Sequence, residues 1–215
     1  MKKLIVKLVS TVIFASAICL FTSCENEIRI RANVNGVDFT YKSKAGAVFS
    51  EALNAMENEG EEGFSPEVLT EMFESAGFER VSAVCPDKTS FEVKGTLPET
   101  ADDPLSKAGM LSFSVDGNFI RLNITRETLK FFYNNSSQDI QNIIDMLMSP
   151  TFTDDEMTDE EYLDLISSVY GQKLADEISS STIKFVLESP SEKVSRHTVS
   201  LLTLLNLTGN IKLSA

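Results

Sequence analysis

The sequence has no tryptophan, a single histidine and only three cysteines among its 215 residues. Without tryptophan it lacks the side chain best suited to stacking on sugar rings, which counts against a glycosidase although carboxylates abound. One histidine, His197, and no Cys-x-x-Cys pair leave nothing with the ligand spacing of a zinc site. No glycine-rich loop offers a phosphate cradle, and no Gly-x-Ser-x-Gly elbow presents a nucleophile. Ser195 and Ser200 lie near His197, but side chains two apart on a strand share a face at a separation too wide for a hydrogen-bonded pair. His197 therefore reads as a surface or strand-edge residue. No internal repeat, low-complexity segment or linker divides the chain.

Basic residues are also scarce, 19 against 32 acidic, for a net charge of −13. Three of them, Lys2, Lys3 and Lys7, precede an apolar run from Leu8 to Phe21, the layout of a secretory signal. A membrane-spanning helix needs roughly 20 apolar residues, and this run is shorter. Phe21-Thr22-Ser23-Cys24 follows and resembles the lipobox of bacterial prolipoproteins. Cleavage requires a small residue before the cut; Cys24 follows Ser23, whereas Cys19 follows the bulky Ile18. The resemblance implies diacylglyceryl transfer to the Cys24 thiol, cleavage before it, and usually N-acylation. Phe21 stands where leucine is commonest, a departure that spirochaete-type lipoboxes accept. Two or three acyl chains exceed what stable anchoring demands. The expected organisation is a cleaved signal over 1–23, a short lipidated tether over 24–27 and one domain over 28–215.

Loss of Lys2, Lys3 and Lys7 leaves 16 cations against 32 carboxylates, a net −16 on 192 residues. That length suits one sizeable core. The charge argues against nucleic acid, whose affinity comes from cations on phosphates, and equally against a polybasic grip on anionic lipid. With Cys19 removed and Cys24 alkylated, Cys85 has no partner, so no intramolecular disulfide is expected. Val84-Cys85-Pro86-Asp87 places an acid beside the thiol where reactivity needs cations, so Cys85 reads as a plain strand-end residue.

Alternation over 27–42 around Asn35-Gly36 predicts a hairpin with Val34 opposite Val37, Ala32 opposite Phe39 and Ile30 opposite Tyr41, all on one face. A helix is expected over 45–56. A second, capped by Ser65 with Pro66 in its first turn, stops at Gly77. Strands through Val81–Cys85 and Phe91–Leu97 join at Pro86-Asp87. Leu111–Val115 and Ile120–Ile124 form a hairpin over Asp116-Gly117-Asn118. Thr125 caps a short helix to Tyr133, and Ser137 another from Gln138 to Met148. Thr158 and Glu161 make a capping box for a helix to about Ile178. Ile183, Phe185 and Leu187 mark a strand, and Thr198 to Leu213 two short strands around a leucine-rich turn. These elements predict an α+β fold, an antiparallel sheet of hairpins with four to five helices on one face.

The acidic run Phe152 to Glu161 lacks the glycine and spacing of a calcium loop, and half of it is explained by helix capping. Phe49, Phe73, Phe91, Phe113, Phe119, Phe131, Phe132 and Phe185, with Met56, Met72, Met146 and Met148, could fill a core or line a pliable cavity. Through Met146-Leu147-Met148-Ser149-Pro150, Glu161-Tyr162-Leu163-Asp164-Leu165 and Val169-Tyr170-Gly171 the chain resembles a group of uncharacterised spirochaete lipoproteins. In element order it is similar to the mycobacterial LppM-type lipoprotein domain, a resemblance that implies envelope glycolipid binding. The expectation is a non-enzymatic lipoprotein of the cell envelope, on its inner or outer membrane, with Cys24 as lipid attachment site and no catalytic residue, metal or cofactor. Its partners would be the membrane and an apolar or lipid ligand. The alternative is a filled-core lipoprotein that meets an envelope protein.

Overall fold

The structure, a computed structural model, describes residues 23–46, 48, 65–75, 77–98, 104–134, 141, 145, 148, 157–207 and 209–215. Strands β1 (Ser23–Asn33) and β2 (Gly36–Ala45) form the first hairpin, and helix α1 (Pro66–Ser75) leads to β3 (Glu79–Asp87) and β4 (Ser90–Pro98). Helix α2 (Pro104–Lys107), β5 (Leu111–Ser114), β6 (Phe119–Ile124) and α3 (Arg126–Asn134) follow. Then come α4 (Asp159–Tyr170), α5 (Gln172–Ser180), β7 (Thr182–Glu188), β8 (Val194–Ser200), α6 (Leu201–Asn206) and β9 (Ile211–Ser214). The fold is α+β, as the alternating and helical periodicities predict.

Six strands lie in the order β3-β4-β2-β1-β7-β8, and β5-β6-β9 make a separate sheet. The large sheet is mixed, not purely antiparallel, because β1 and β7 run parallel. This non-local pair joins the first hairpin to the last, and no short-range signal announces it. Six helices occur among the described residues.

The face shared by Ile28, Ile30, Val37, Tyr41, Val93, Phe185 and Leu187 carries the core. One apolar cluster joins Ile30, Val37, Phe185 and Leu187 to Ile120 and Leu122 of the small sheet and to Tyr162, Ile166, Ile178 and Leu205 of the helices. A smaller one gathers Tyr41, Phe91 and Val93 under Leu69 and Phe73 of α1. Burial of such side chains contributes about 1.5–3 kcal/mol each, and this, with the strand ladders, holds the layers together.

Several local expectations hold. Ser65 Oγ accepts the Val68 N–H at 3.1 Å, and Gly77 ends α1 at φ +91°. There the Gly77 and Phe78 N–H groups bond the Glu74 and Phe73 carbonyls, a Schellman closure. Thr125 Oγ1 takes the Thr128 N–H at 3.2 Å at the start of α3, and the Thr158–Glu161 capping box is complete.

Others are corrected. The first hairpin pairs Ala32 with Val37, Ile30 with Phe39 and Ile28 with Tyr41, two residues away from the expected register. Asn33 sets the turn one step early: its Oδ1 accepts the Asn35 N–H and its Nδ2 donates to Asp38, both at 2.8 Å. An even slip keeps every side chain on its face, but Val34 moves to the tip, 76 % exposed. Likewise Asp87 accepts from the Thr89 N–H, Thr89 Oγ1 and Ser90 Oγ, so the chain turns at Lys88-Thr89. Pro86 then sits in an irregularity of the edge strand, where a missing N–H costs no ladder bond.

The long helix to Ile178 is two, broken by Gly171 at φ +96°. The leucine-rich turn is helix α6, with Leu201 and Leu205 buried one turn apart. Ala45, expected to open a helix, closes β2; the rest of that helix, apart from 46 and 48, lies outside the described residues. So does the Gln138–Met148 helix, apart from 141, 145 and 148.

Candidate functional site

Strand β1 begins at Ser23, so residues 25–27, expected as a tether, belong to the sheet. Glu25 pairs with Lys44, Asn26 with Ser43 and Glu27 with Lys42, and Cys24 falls at the register irregularity between Ser23 and Glu25. No free spacer therefore separates Cys24 from the fold. Asn26, 4 % exposed on the core face, accepts hydrogen bonds from Tyr41 Oη at 3.0 Å and Ser43 Oγ at 2.9 Å. These bonds fix the strand two residues from Cys24.

The opposite face of the sheet is charged. Lys184 Nζ donates to Glu27 Oε2 at 2.7 Å and Arg29 to Glu27 Oε1 at 3.2 Å. Glu92 lies between Lys94 at 2.8 Å and Lys42 at 3.1 Å, and Glu188 meets Arg31 at 3.1 Å. The hydrogen bond from Lys184 holds the Glu27 carboxyl below the usual range, and that from Lys94 does the same for Glu92. Arg29–Glu27 and Lys94–Glu92 join neighbours two apart on one strand, whereas Lys184–Glu27, Lys42–Glu92 and Arg31–Glu188 join different strands and are not visible locally in the sequence.

The acidic run is spent on structure where it is described. Glu161 Oε2 accepts from the Thr158 N–H and Oγ1, each at 2.8 Å, and Asp159 Oδ1 takes Asn206 Nδ2 at 2.9 Å. Asn206 also donates to the Met157 carbonyl, latching α6 to the start of α4. Residues 152–156 lie outside the described residues. Among the described residues no group of three or more His, Cys, Asp or Glu is placed to hold a metal ion.

Ser195 Oγ and His197 Nε2 are 2.7 Å apart, which corrects the expectation that they could not pair. They sit on the core-facing side of edge strand β8, opposite Leu187 and Phe185, and the imidazole's length spans the gap. The pair has the nucleophile–base contact of a hydrolase. It lacks, among the described residues, a carboxylate on His197 Nδ1 to orient the ring. Cys85 is half-buried, and burial first, then Glu67 and Asp87, push its thiol upward and away from the reactive thiolate.

Glu177 was missed by the sequence reading. It is 8 % exposed on the buried face of α5 beside Leu174 and Ile178, and burial raises its carboxyl above the ordinary value. Its Oε2 accepts the Val48 N–H at 2.9 Å, while Oε1 has no hydrogen-bond partner among the described residues. The available signal was position: a glutamate three after Leu174 on an apolar stripe.

Comparison with known proteins finds no matching family model, no matching curated protein and no matching solved structure.

Proposed function

We propose that this chain is a lipoprotein of the bacterial cell envelope, anchored through acyl chains on Cys24, whose folded domain binds and does not catalyse. The observation that carries the reading is the continuity of β1 with the anchor: unbroken strand pairing begins at Glu25, the residue after the lipidation position, so the domain is held against the headgroups. The lipobox-like stretch 21–24, which runs into that strand at Ser23, supports it. No helix among the described residues is long and apolar enough to cross a membrane.

Two forms of binding were open, a lipid-sized ligand between sheet and helices or a filled core with binding on the surface. Ring packing favours the second in the region beneath α1. Phe39, Phe73 and Phe78 contact one another with centroids 5.3–5.9 Å apart, and Tyr41 meets Phe91 edge-on at 5.3 Å. Such contacts occupy the space an apolar ligand would need there. Metabolic labelling with radioactive palmitate tests the anchor: label should enter the parent protein and be lost in Cys24→Ser. Native mass spectrometry of delipidated protein mixed with membrane lipid tests the interior. No retained lipid mass is expected, and a stoichiometric adduct would restore the ligand-binding form.

A further inference from the structure

We propose that the charged outer face of the six-stranded sheet is a lipid-facing surface that lies against the anionic phosphates of the bilayer holding Cys24; this rests on the anchor reading above. Total charge argues against it, but the charge is segregated. Counted from Glu27 onward, strands β1, β2, β4, β7 and β8 place Arg29, Arg31, Lys42, Lys44, Lys94, Lys184 and Arg196 on this face. Those seven cations belong to the 16 that remain after residue 23 and share the face with Glu27, Asp38, Glu92 and Glu188, with Glu25 at the register position beside Lys44 and with Glu192, which Arg31 meets at 3.7 Å. The edge strand adds Glu79 and Asp87, and Arg80 and the turn residue Lys88 offset them in number. Nearly all the remaining negative charge therefore lies elsewhere.

The carboxylates of this face are already engaged. Glu27 is shared by Arg29 and Lys184, Glu92 by Lys42 and Lys94, and Asp38 accepts from Asn33 and Thr96. Glu27 and Glu92 each meet two cations while Arg31 meets both Glu188 and Glu192, so the face carries a small excess of positive charge on a strongly acidic molecule, and all seven cations are exposed. The apolar Val186 on this face is buried, with Arg29 and Arg196 as its register neighbours, whose alkyl stems can cover it.

Position completes the argument. Lys44 pairs in register with Glu25, the residue after Cys24, and Lys42 and Lys184 flank Glu27. The anchor thus brings the lysines within about 10 Å of the headgroups, the distance over which surface charge acts at 0.1 M salt. The acidic remainder of the domain is repelled by the same surface. Attraction on one face and repulsion on the others orient the molecule.

The test uses the lipidated protein in a Cys85→Ser background, with a fluorophore on Thr40→Cys between Arg29 and Lys94 in register, or on exposed Ser168→Cys in α4 as control. Protein is reconstituted on phosphatidylcholine vesicles with or without phosphatidylglycerol, and acrylamide quenching is measured. Phosphatidylglycerol should lower quenching at position 40 about twofold, leave position 168 unchanged, and lose its effect in high salt. The double variant Lys42→Glu/Lys184→Glu should abolish the protection, and if it does not fold the salt series decides. Equal quenching at position 40 on both lipids, or protection at 168 instead, overturns the proposal. Failure to float with either vesicle overturns the anchor reading, which separates the two.

Discussion

Asn26 is a polar side chain in an apolar layer, and its Oδ1 collects the hydroxyls of Tyr41 and Ser43. Removing a buried acceptor leaves its donors the full cost of desolvation, about 1–3 kcal/mol. Asn26→Ala should lower unfolding free energy by about 2 kcal/mol in urea titrations, with the loss concentrated at the start of β1 in hydrogen exchange. Ser195 and His197 pose the opposite case, a close contact with little behind it. A serine becomes nucleophilic when its base is oriented and the oxyanion is stabilised, and no carboxylate orients this ring among the described residues. A fluorophosphonate probe should leave Ser195 unmodified under conditions that label a serine hydrolase. Labelling at that position would overturn the non-catalytic reading.

At the scale of elements, Gly171 decides how α4 and α5 meet. Its backbone, φ +96° and ψ 154°, lies in a region that almost only glycine occupies, yet a Cβ there would touch nothing within 4 Å. The cost of Gly171→Ala is therefore backbone strain alone, about 1–3 kcal/mol, measurable as a lowered urea midpoint with an unchanged slope. Gly171 also shows where the sequence was readable. Caps such as Ser65, Thr125 and Thr158 act within three residues and were legible. The apolar stripe through Leu163, Ile166 and Leu174 was legible too, but it runs across the glycine, and periodicity alone does not register a bend. Hairpin register depended on the Asn33 side chain competing for the turn. The β1–β7 pairing and the Glu27–Lys184 bond join residues more than 150 apart, and the cations of the outer face come together from five strands. Composition averages such features away, which is why the overall charge pointed away from anionic lipid while the sheet face points toward it.

For the whole molecule, two sets of glutamates make stability depend on pH in opposite senses. Glu177 has its pKa raised by burial from the ordinary 4.5. Its ionised form costs stability above the folded pKa, and that cost fades as pH falls toward 4.5. Glu27 and Glu92 have theirs lowered, chiefly by hydrogen bonds from Lys184 and Lys94. Their stabilisation is present above 4.5 and is lost as pH falls through the depressed folded values. Protonation also relieves the self-repulsion of a strongly acidic chain, in the same direction as Glu177. The urea midpoint should therefore peak on the acid side of neutral, above the ordinary glutamate value, and fall on both sides. Glu177→Gln keeps an acceptor for the Val48 N–H without the buried charge. It should raise the neutral limb by about 1 kcal/mol and leave the acid limb in place. Lys184→Met should do the reverse, removing part of the fall at low pH. The difference between parent and Glu177→Gln isolates the buried carboxyl, because the acidic background is common to both. If that difference stays flat from pH 4.5 to neutrality, Glu177 is not the group that makes neutral pH costly.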